Sequence, residues 1–128
     1  MQSDLLFEYA VIRVVPQVER EEFLNVGIVL YCSGRKFLKV LFHLNETRLH
    51  AFSQQLDIDE LRKYLCAFEM ICQGDTRVSP IANLPIAERF RWLTATRSTV
   101  VQSSRVHPGL CEDPGSILLK LFAQIVLQ

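Results

Sequence analysis

Residues 9–30, YAVIRVVPQVEREEFLNVGIVL, constrain the fold more than any other part of the chain. Two apolar runs rich in β-branched residues flank a polar connector at residues 16–22, which carries four charged side chains. β-branched residues favour strands, and Pro16 cannot donate a hydrogen bond to a β-ladder. The pattern therefore predicts two strands, at residues 5–15 and 23–32, joined by a solvated connector.

The side chains of the two predicted strands alternate differently. Both faces of the first strand are mainly apolar, which is typical of a central strand covered on each side. One face of the second strand is entirely apolar and is predicted to be core: Leu24, Val26, Ile28, Leu30 and Cys32. Its other face is mixed and includes Asn25 and Gly27. The turn signal Ser33-Gly34-Arg35 then predicts an antiparallel hairpin with a third strand at residues 36–43.

Residues 45–93 carry the signals of three helices. Asn45 is a candidate N-cap for a helix at residues 46–56, and Asp57 opens a second helix that stops at Gly74. Pro85 marks the start of a third helix, because proline is favoured in the first helical turn.

The remaining residues predict one more strand and a last helix. Residues 94–106 are rich in Thr, Ser and Val, which favours a strand, and His107-Pro108-Gly109 is expected to break it. Asp113 caps and Pro114 starts the final helix. The order β-β-β-α-α-α-β-α in a single domain, residues 1–128, predicts an α+β fold. We expect an antiparallel sheet of about four strands with the helices packed on one face.

The charge balance argues against two classes of partner. The 128 residues contain 14 Lys+Arg and 14 Asp+Glu, so the formal net charge is zero. A neutral chain has no long-range attraction to nucleic acid or to an anionic membrane, and neither is expected as a partner. No apolar run approaches the roughly 20 residues that span a bilayer, and the first residues do not resemble a signal peptide. A cytoplasmic location is therefore expected.

The chain also lacks the sequence signatures of common cofactors and catalytic sites. Glycine-rich phosphate loops, zinc-protease motifs and the nucleophile elbow of hydrolases are absent from the sequence. Cys32, Cys66, Cys72 and Cys111 have no CxxC spacing and no zinc-like arrangement with His, so they are predicted to be small buried hydrophobic residues. No cofactor and no metal site are expected.

Polar residues around the first two strands form one candidate ligand-binding cluster: Arg13, Glu19, Arg20, Glu22 and Asn25. Arg13 lies in a strand that is predicted to be covered on both sides, where an unpaired charge is strongly unfavourable. Glu22 or Glu19 is therefore expected to pair with Arg13. Two interpretations stay open: a structural salt bridge that fixes the connection between the strands, or an arginine that binds an anion at the end of the sheet.

A second candidate cluster lies near the predicted fourth strand and contains Arg97, Ser98, Ser103, Arg105 and His107. Hydroxyl groups beside arginines can hold a carboxylate or a phosphate. A histidine imidazole can act as an acid or a base near neutral pH, so His107 is a candidate for that role. The alternative interpretation is a solvated edge strand followed by a turn. His43 and His50 are isolated in amphipathic elements and are assigned no role.

Two separated segments, YAVIRVVPQVEREEFLNVGIVLYC and LTATRSTVVQSSRVHPGLCEDP, resemble a bacterial family catalogued as domain of unknown function 3037. The resemblance covers nearly the whole chain and draws attention to both clusters, and also to Gly27, Gly109, Asp113 and Pro114. It implies genomic neighbours that look like HipA-type kinases, and hence a kinase-like protein as a partner. It implies no activity.

Two functional hypotheses follow. The first is an uncharacterised bacterial protein that acts as a non-catalytic accessory or protein-interaction module, bound to a kinase-like neighbour or to a second copy of the chain. The second is a small enzyme, or a protein that binds an anion or phosphate ligand, using the Arg/Glu/Asn cluster together with His107. The second hypothesis requires the two clusters to converge in one pocket.

Overall fold

An antiparallel sheet forms the centre of the chain in a computed structural model that describes residues 4–95, 97 and 99–128. Within these residues the strands are β1 (Leu5–Val14), β2 (Leu24–Cys32), β3 (Phe37–Phe42), β4 (Val101–Ser103) and β5 (His107–Cys111). The strand order is β3-β2-β1-β4, and β5 also pairs with β1. Both β4 and β5 therefore lie on the edge of β1 that β2 leaves free. The predicted hairpin of the second and third strands is confirmed.

The helices are α1 (Glu46–Phe52), α2 (Ile58–Gln73), α3 (Ile86–Leu93) and α4 (Pro114–Ile125). Their ends follow the predicted signals. The side chains of Asn45 and Asp57 accept hydrogen bonds from the backbone N–H groups of Arg48 (3.0 Å) and Glu60 (3.2 Å). Gly74 ends α2 in the left-handed conformation, with φ of 79°. The first helix is shorter than predicted and stops at Phe52.

The α+β fold class is confirmed, and the helices are distributed over both faces of the sheet. Helices α1, α2 and α3 pack against one face, where Ala10, Ile12 and Val14 of β1 are buried. Helix α4 packs against the opposite face, on Phe7 and Val11 of β1. The arrangement differs from the expected single layer of helices because β1 and β2 are apolar on both sides and each side requires cover.

An irregularity in β2 changes which residues share a face. Ile12 pairs with Gly27, whereas the next residue of β1, Arg13, pairs with Asn25, so Val26 is an extra residue in β2. As a result Leu24 and Val26 pack on the side of α1–α3, and the other members of the predicted core face, Ile28, Leu30 and Cys32, pack on the side of α4. The prediction of one continuous core face in this strand is therefore wrong.

The segment His107-Pro108-Gly109 forms part of β5 and does not break the sheet. Pro108 pairs with Glu8 at the edge of the sheet, where its missing N–H leaves no inner ladder incomplete. A Cβ at Gly109 would lie 2.5 Å from the Phe7 ring, so the close approach of β5 to β1 requires glycine. Of the described residues in the predicted strand at residues 94–106, Val101–Ser103 form a strand, and residues 96 and 98 lie outside the described residues. His107, Pro108 and Gly109, which are typical of a turn, are thus accommodated in an edge strand.

Three of the four cysteines are buried as predicted, and Cys66 is the exception. Cys66 is exposed on the solvent side of α2. Burial raises the pKa of the Cys72 thiol to about 12, which makes it an inert core residue. In the part of the chain that the structure describes, every helix is too short or too polar to cross a lipid bilayer.

Candidate functional site

An open cleft of about 740 Å³ lies between α2 and the segment that leads into β4. Leu61 and Tyr64 of α2 form one wall, and Val100 and Val101 form the opposite wall. The N–H of Val15 donates to the carbonyl oxygen of Val100 at 2.6 Å, which fixes the second wall to the end of β1. Because Tyr64 and Val100 keep more than a third of their surface exposed, the cleft presents apolar side chains to solvent.

The polar groups of the cleft lie around this apolar lining. Asp57, the N-cap of α2, and Glu60 and Lys63 within α2 contribute two carboxylates and one ammonium group. The carboxylate of Asp57 also caps α2, so its position is fixed by the helix that it starts. Gln17 at the end of β1 and Thr99 beside β4 add neutral groups. The cleft is therefore slightly acidic.

The cleft continues into a depression of about 250 Å³ that reaches the connector between β1 and β2. The two cavities share Pro16, Gln17 and Ser53, and the depression is also lined by Arg20 and Glu22. The Arg20 Nε donates to Glu22 Oε1 at 2.7 Å, and both side chains are exposed. This hydrogen bond lowers the pKa of the Glu22 carboxyl and raises the pKa of Arg20.

Glu19, also exposed, raises the pKa of Arg20 further through its charge. A lowered carboxyl pKa means that the Arg20–Glu22 pair stabilises the fold above the unfolded pKa of Glu22. That contribution is lost as the pH falls through the folded pKa. Three residues of the first predicted cluster thus lie together on the connector.

Arg13 is separate from this group and does not pair with a carboxylate among the described residues. Its guanidinium lies 4.0 Å from the centre of the Phe23 ring. Its Nε is buried and has no hydrogen-bond partner within the described chain. The expected partners, Glu19 and Glu22, lie on the exposed connector, and Glu22 is bound to Arg20. Stacking on an aromatic ring therefore replaces the expected salt bridge.

Asn25 lies beside Arg13 on the face of the sheet that α4 covers. Its Nδ2 donates to the carbonyl oxygen of Ile125, at a distance of 3.5 Å, near the end of α4. Its Oδ1 is buried and has no hydrogen-bond partner in the described residues. Asn25 also lines a small cavity of about 110 Å³ together with His43 and Arg48. Asn25 is thus the member of the first predicted cluster that lines this small, partly open cavity.

The second predicted cluster is divided between the two faces of the sheet. Arg97 stacks over Trp92 at 4.3 Å and donates to the backbone carbonyl of Trp92, on the side of α3. His107 stacks on Tyr9 with a centroid separation of 5.2 Å, on the side of α4. Ser98 lies outside the described residues. Arg97 and His107 are therefore not brought together.

His107 and Arg13 lie on neighbouring strands, β5 and β1. His107 pairs with Tyr9, four residues before Arg13, which corresponds to roughly 13 Å along β1. Ser104, between the two short strands, is buried and bonds the backbone N–H of Val11 through its hydroxyl at 2.8 Å. Asp113 occupies the N-cap position of α4, and the Ser116 hydroxyl, which donates to it at 2.7 Å, lowers the pKa of its carboxyl. The hydrogen bonds of Ser104 and Asp113 are therefore made within the fold, to β1 and to the first turn of α4.

The residues of the cleft were not identified from the sequence, apart from the connector beside it. Tyr64 is recognisable as an aromatic residue next to the inward stripe of α2, but Val100 belongs to a segment predicted as regular strand. The cleft exists because that segment approaches α2 in space, and no local pattern signals such an approach. In the described ranges, no group of His, Cys, Asp and Glu side chains is arranged to bind a metal ion.

Comparison with known proteins gives a family without an assigned activity. The model of a family described as protein of unknown function (DUF3037) matches residues 9–126, nearly the whole chain. No curated protein and no solved structure matches the chain significantly. The matched range begins within β1 and contains the strands β2–β5, the cleft and both predicted clusters. The chain therefore belongs to the DUF3037 family of proteins of unknown function.

Proposed function

We propose that this protein is a non-catalytic accessory module of the bacterial cytoplasm that binds an extended segment of a partner protein in the cleft beside α2. The observation that carries the proposal is the cleft itself, at about 740 Å³. Its volume lies in the range of roughly 300–1,000 Å³ that is typical of pockets for small-molecule ligands. The exposed side chains of Tyr64 and Val100 would be covered by such a segment.

The charge of the cleft indicates which residue types the bound segment should carry. Asp57 and Glu60 outnumber Lys63, and the nearby Arg20–Glu22 pair is neutral overall. An occupant that complements this lining inserts an apolar side chain between Tyr64 and Val100 and places a Lys or Arg beside the carboxylates. The partner expected from the family resemblance is a kinase-like protein, and the proposal assigns this segment to it.

The test uses a display library of short peptides selected on the full chain, followed by fluorescence anisotropy of the enriched peptides. Peptides with an apolar residue next to Lys or Arg are expected. The substitution Val100→Asp should abolish their binding, because it places a charge in the apolar wall without altering the backbone hydrogen bond of residue 100. Co-expression with the kinase-like neighbour should give a complex that the same substitution dissociates.

The matched control is Leu119→Asp, which introduces the same charge at a site on α4 that is 63% exposed. This variant should bind like the unaltered chain. Enrichment of acidic peptides, or equal loss of binding in both variants, would overturn the proposal. So would a self-associating chain whose dimer is insensitive to Val100→Asp, since the cleft would then have no part in assembly.

A further inference from the structure

The outer edge of β5 lies at the side of the sheet and is open to a further strand. In the described part of the chain β5 pairs only with β1, so its other side carries unpaired backbone groups. Leu110 of β5 is 64% exposed, and Leu6, which pairs with it in β1, is 60% exposed. We propose that this edge docks one antiparallel strand of a partner protein, in which an apolar residue stands between two basic residues at alternate positions. Neither leucine lines the cleft, so the inference is independent of the proposed function.

The backbone of Val11 shows which groups of β5 face outward. Its N–H donates to the Ser104 hydroxyl, and its carbonyl oxygen accepts from the Ser104 N–H, each at 2.8 Å, on the side of β1 that β4 and β5 occupy. Because the hydrogen-bonding direction of the backbone alternates along a strand, the odd-numbered residues of β1 bond toward β5. Pro108 and Leu110 pair with even-numbered residues and therefore direct their backbone groups away from β1. Pro108 has no N–H, which is consistent with this position.

These outward groups determine how a strand can be added. Leu110 offers one N–H and one carbonyl oxygen, whereas Pro108 offers only a carbonyl oxygen. An antiparallel strand therefore gains two hydrogen bonds opposite Leu110 and donates a third to Pro108. Since the missing donor weakens any pairing centred on Pro108, the favoured register is centred on Leu110.

The side chains on the face of Leu110 determine which sequence the added strand carries. The partner residue opposite Leu110 extends the row formed by Leu6 and Leu110, which favours an apolar residue. Glu8 pairs with Pro108 on this face and makes no ion pair with the described residues. Glu112, which is exposed, follows β5 directly. A Lys or Arg two positions to each side of the apolar residue therefore lies beside one carboxylate, which gives charge complementarity.

The same charges argue against a second copy of the chain as the occupant. Antiparallel pairing of two β5 strands about Leu110 would place the second copy's Glu112 opposite Pro108, beside Glu8. Like charges at neighbouring cross-strand positions are unfavourable. Arg35 donates to the backbone carbonyl of Glu112 at 3.4 Å and forms no ion pair with its carboxylate among the described residues. The carboxylates of this edge thus favour a basic partner strand.

The experiment titrates the full chain with a synthetic peptide, acetyl-Thr-Lys-Thr-Leu-Thr-Lys-Thr-amide, and follows the backbone amides by NMR. Saturable shifts at Leu110 are expected, and bound peptide should slow hydrogen exchange of the Leu110 N–H but not of the Gly109 N–H, which already bonds β1. A peptide with Glu in place of both Lys should bind about fivefold or more weakly, because attraction to the two carboxylates becomes repulsion. N-methylation of the Leu should also weaken binding about fivefold, since it removes the donor to the Leu110 carbonyl.

Two matched controls identify the mode of binding. Methylation of the nitrogen of the Thr that precedes the Leu should have a much smaller effect, because that N–H points away from β5. Leu110→Asp should abolish binding, whereas Leu119→Asp, at a similarly exposed position of α4, should not. Unchanged exchange of the Leu110 amide, equal affinities for the Lys and Glu peptides, or equal effects of the two methyl groups would overturn the inference.

Discussion

Helices α1–α3 and the single helix α4 cover opposite faces of the same sheet, and each layer leaves a different opening at its edge. On the side of α1–α3, the opening is the large apolar cleft between α2 and Val100. On the side of α4, the helix ends near Asn25, and a small polar cavity remains beside it. One sheet thus carries a large cleft with an apolar lining and a much smaller cavity with polar lining residues.

The difference follows from where the apolar residues of the strands end. The face under α1–α3 has a continuous buried core from Ala10 to Val14, so its opening lies outside the sheet, against a loop. The face under α4 contains Arg13 after Val11, and the guanidinium of Arg13 stacks on the Phe23 ring without a carboxylate partner among the described residues. The two cavities therefore lie where the helices that pack on the sheet end.

The largest expected effect tests whether the two faces form one cooperative unit. Leu65 on α2 and Leu118 on α4 are almost completely buried on opposite faces. Substitution of either by Ala should lower the free energy of unfolding by about 2–5 kcal/mol, because each leaves a cavity in a core. Chemical denaturation followed by circular dichroism measures both, and Leu119→Ala, at an exposed position of α4, is the control.

The two faces share the strands β1 and β2, so both variants should unfold in a single transition. Hydrogen exchange gives the sharper comparison, because it resolves each helix. If Leu118→Ala removed protection from α4 alone and left the amides of α2 protected, α4 would be a separately unfolding element. The description of the two faces as one folding unit would then be wrong.

The next effect concerns the position where β2 changes faces. A Cβ at Gly27 would lie 2.8 Å from the carbonyl oxygen of Leu41, a backbone atom that can move only if β2 and β3 separate. Gly27→Ala should therefore lower the free energy of unfolding by about 1–3 kcal/mol. Gly115→Ala is the matched control: in α4 its Cβ would meet only Asp113 Oδ1, at 3.8 Å.

Because alanine favours helix over glycine, the control should be neutral or more stable by up to about 1 kcal/mol. Thermal unfolding of the two variants measures the contrast. An equal loss of stability in both would mean that the approach of β2 to β3 adapts to a methyl group, and that the irregularity at Val26 does not depend on Gly27.

The sequence was sufficient to predict elements that depend on local chemistry. Asn45, Asp57 and Gly74 mark helix ends through hydrogen bonds and backbone conformation within a few residues, and the structure confirms these ends. The face change in β2 was not predictable, because the extra residue at Val26 exists only relative to the partner strand β1. For the same reason the sequence predicts a break at Pro108, whereas the structure places Pro108 in an edge strand, which accepts proline.

Prediction of the candidate site from the sequence is limited in the same way, because the site combines residues that are distant in sequence. Asn25 was identified as an unusual polar residue in an apolar strand, which is a local signal. His43 and Arg48 complete its cavity, but they come from β3 and α1 and carry no signal of their own. The expected partnership of Arg13 with Glu22 was reasonable on charge alone. It is wrong because Phe23, adjacent in sequence to Glu22, offers its ring to the guanidinium while Glu22 binds Arg20.

The smallest expected effect is the coupling energy of Arg13 with Phe23, compared with that of Arg13 with Glu22. Double-mutant cycles measure both. The cycle of Arg13→Met with Phe23→Leu should give a coupling energy of about 0.5–1 kcal/mol, as for cation–π pairs near the surface. The cycle of Arg13→Met with Glu22→Gln should give no measurable coupling, because Glu22 is exposed and bonded to Arg20. Urea denaturation at neutral pH supplies the free energies. A coupling of Arg13 to Glu22 that exceeded its coupling to Phe23 would restore the salt bridge and place Arg13 with the connector beside the cleft.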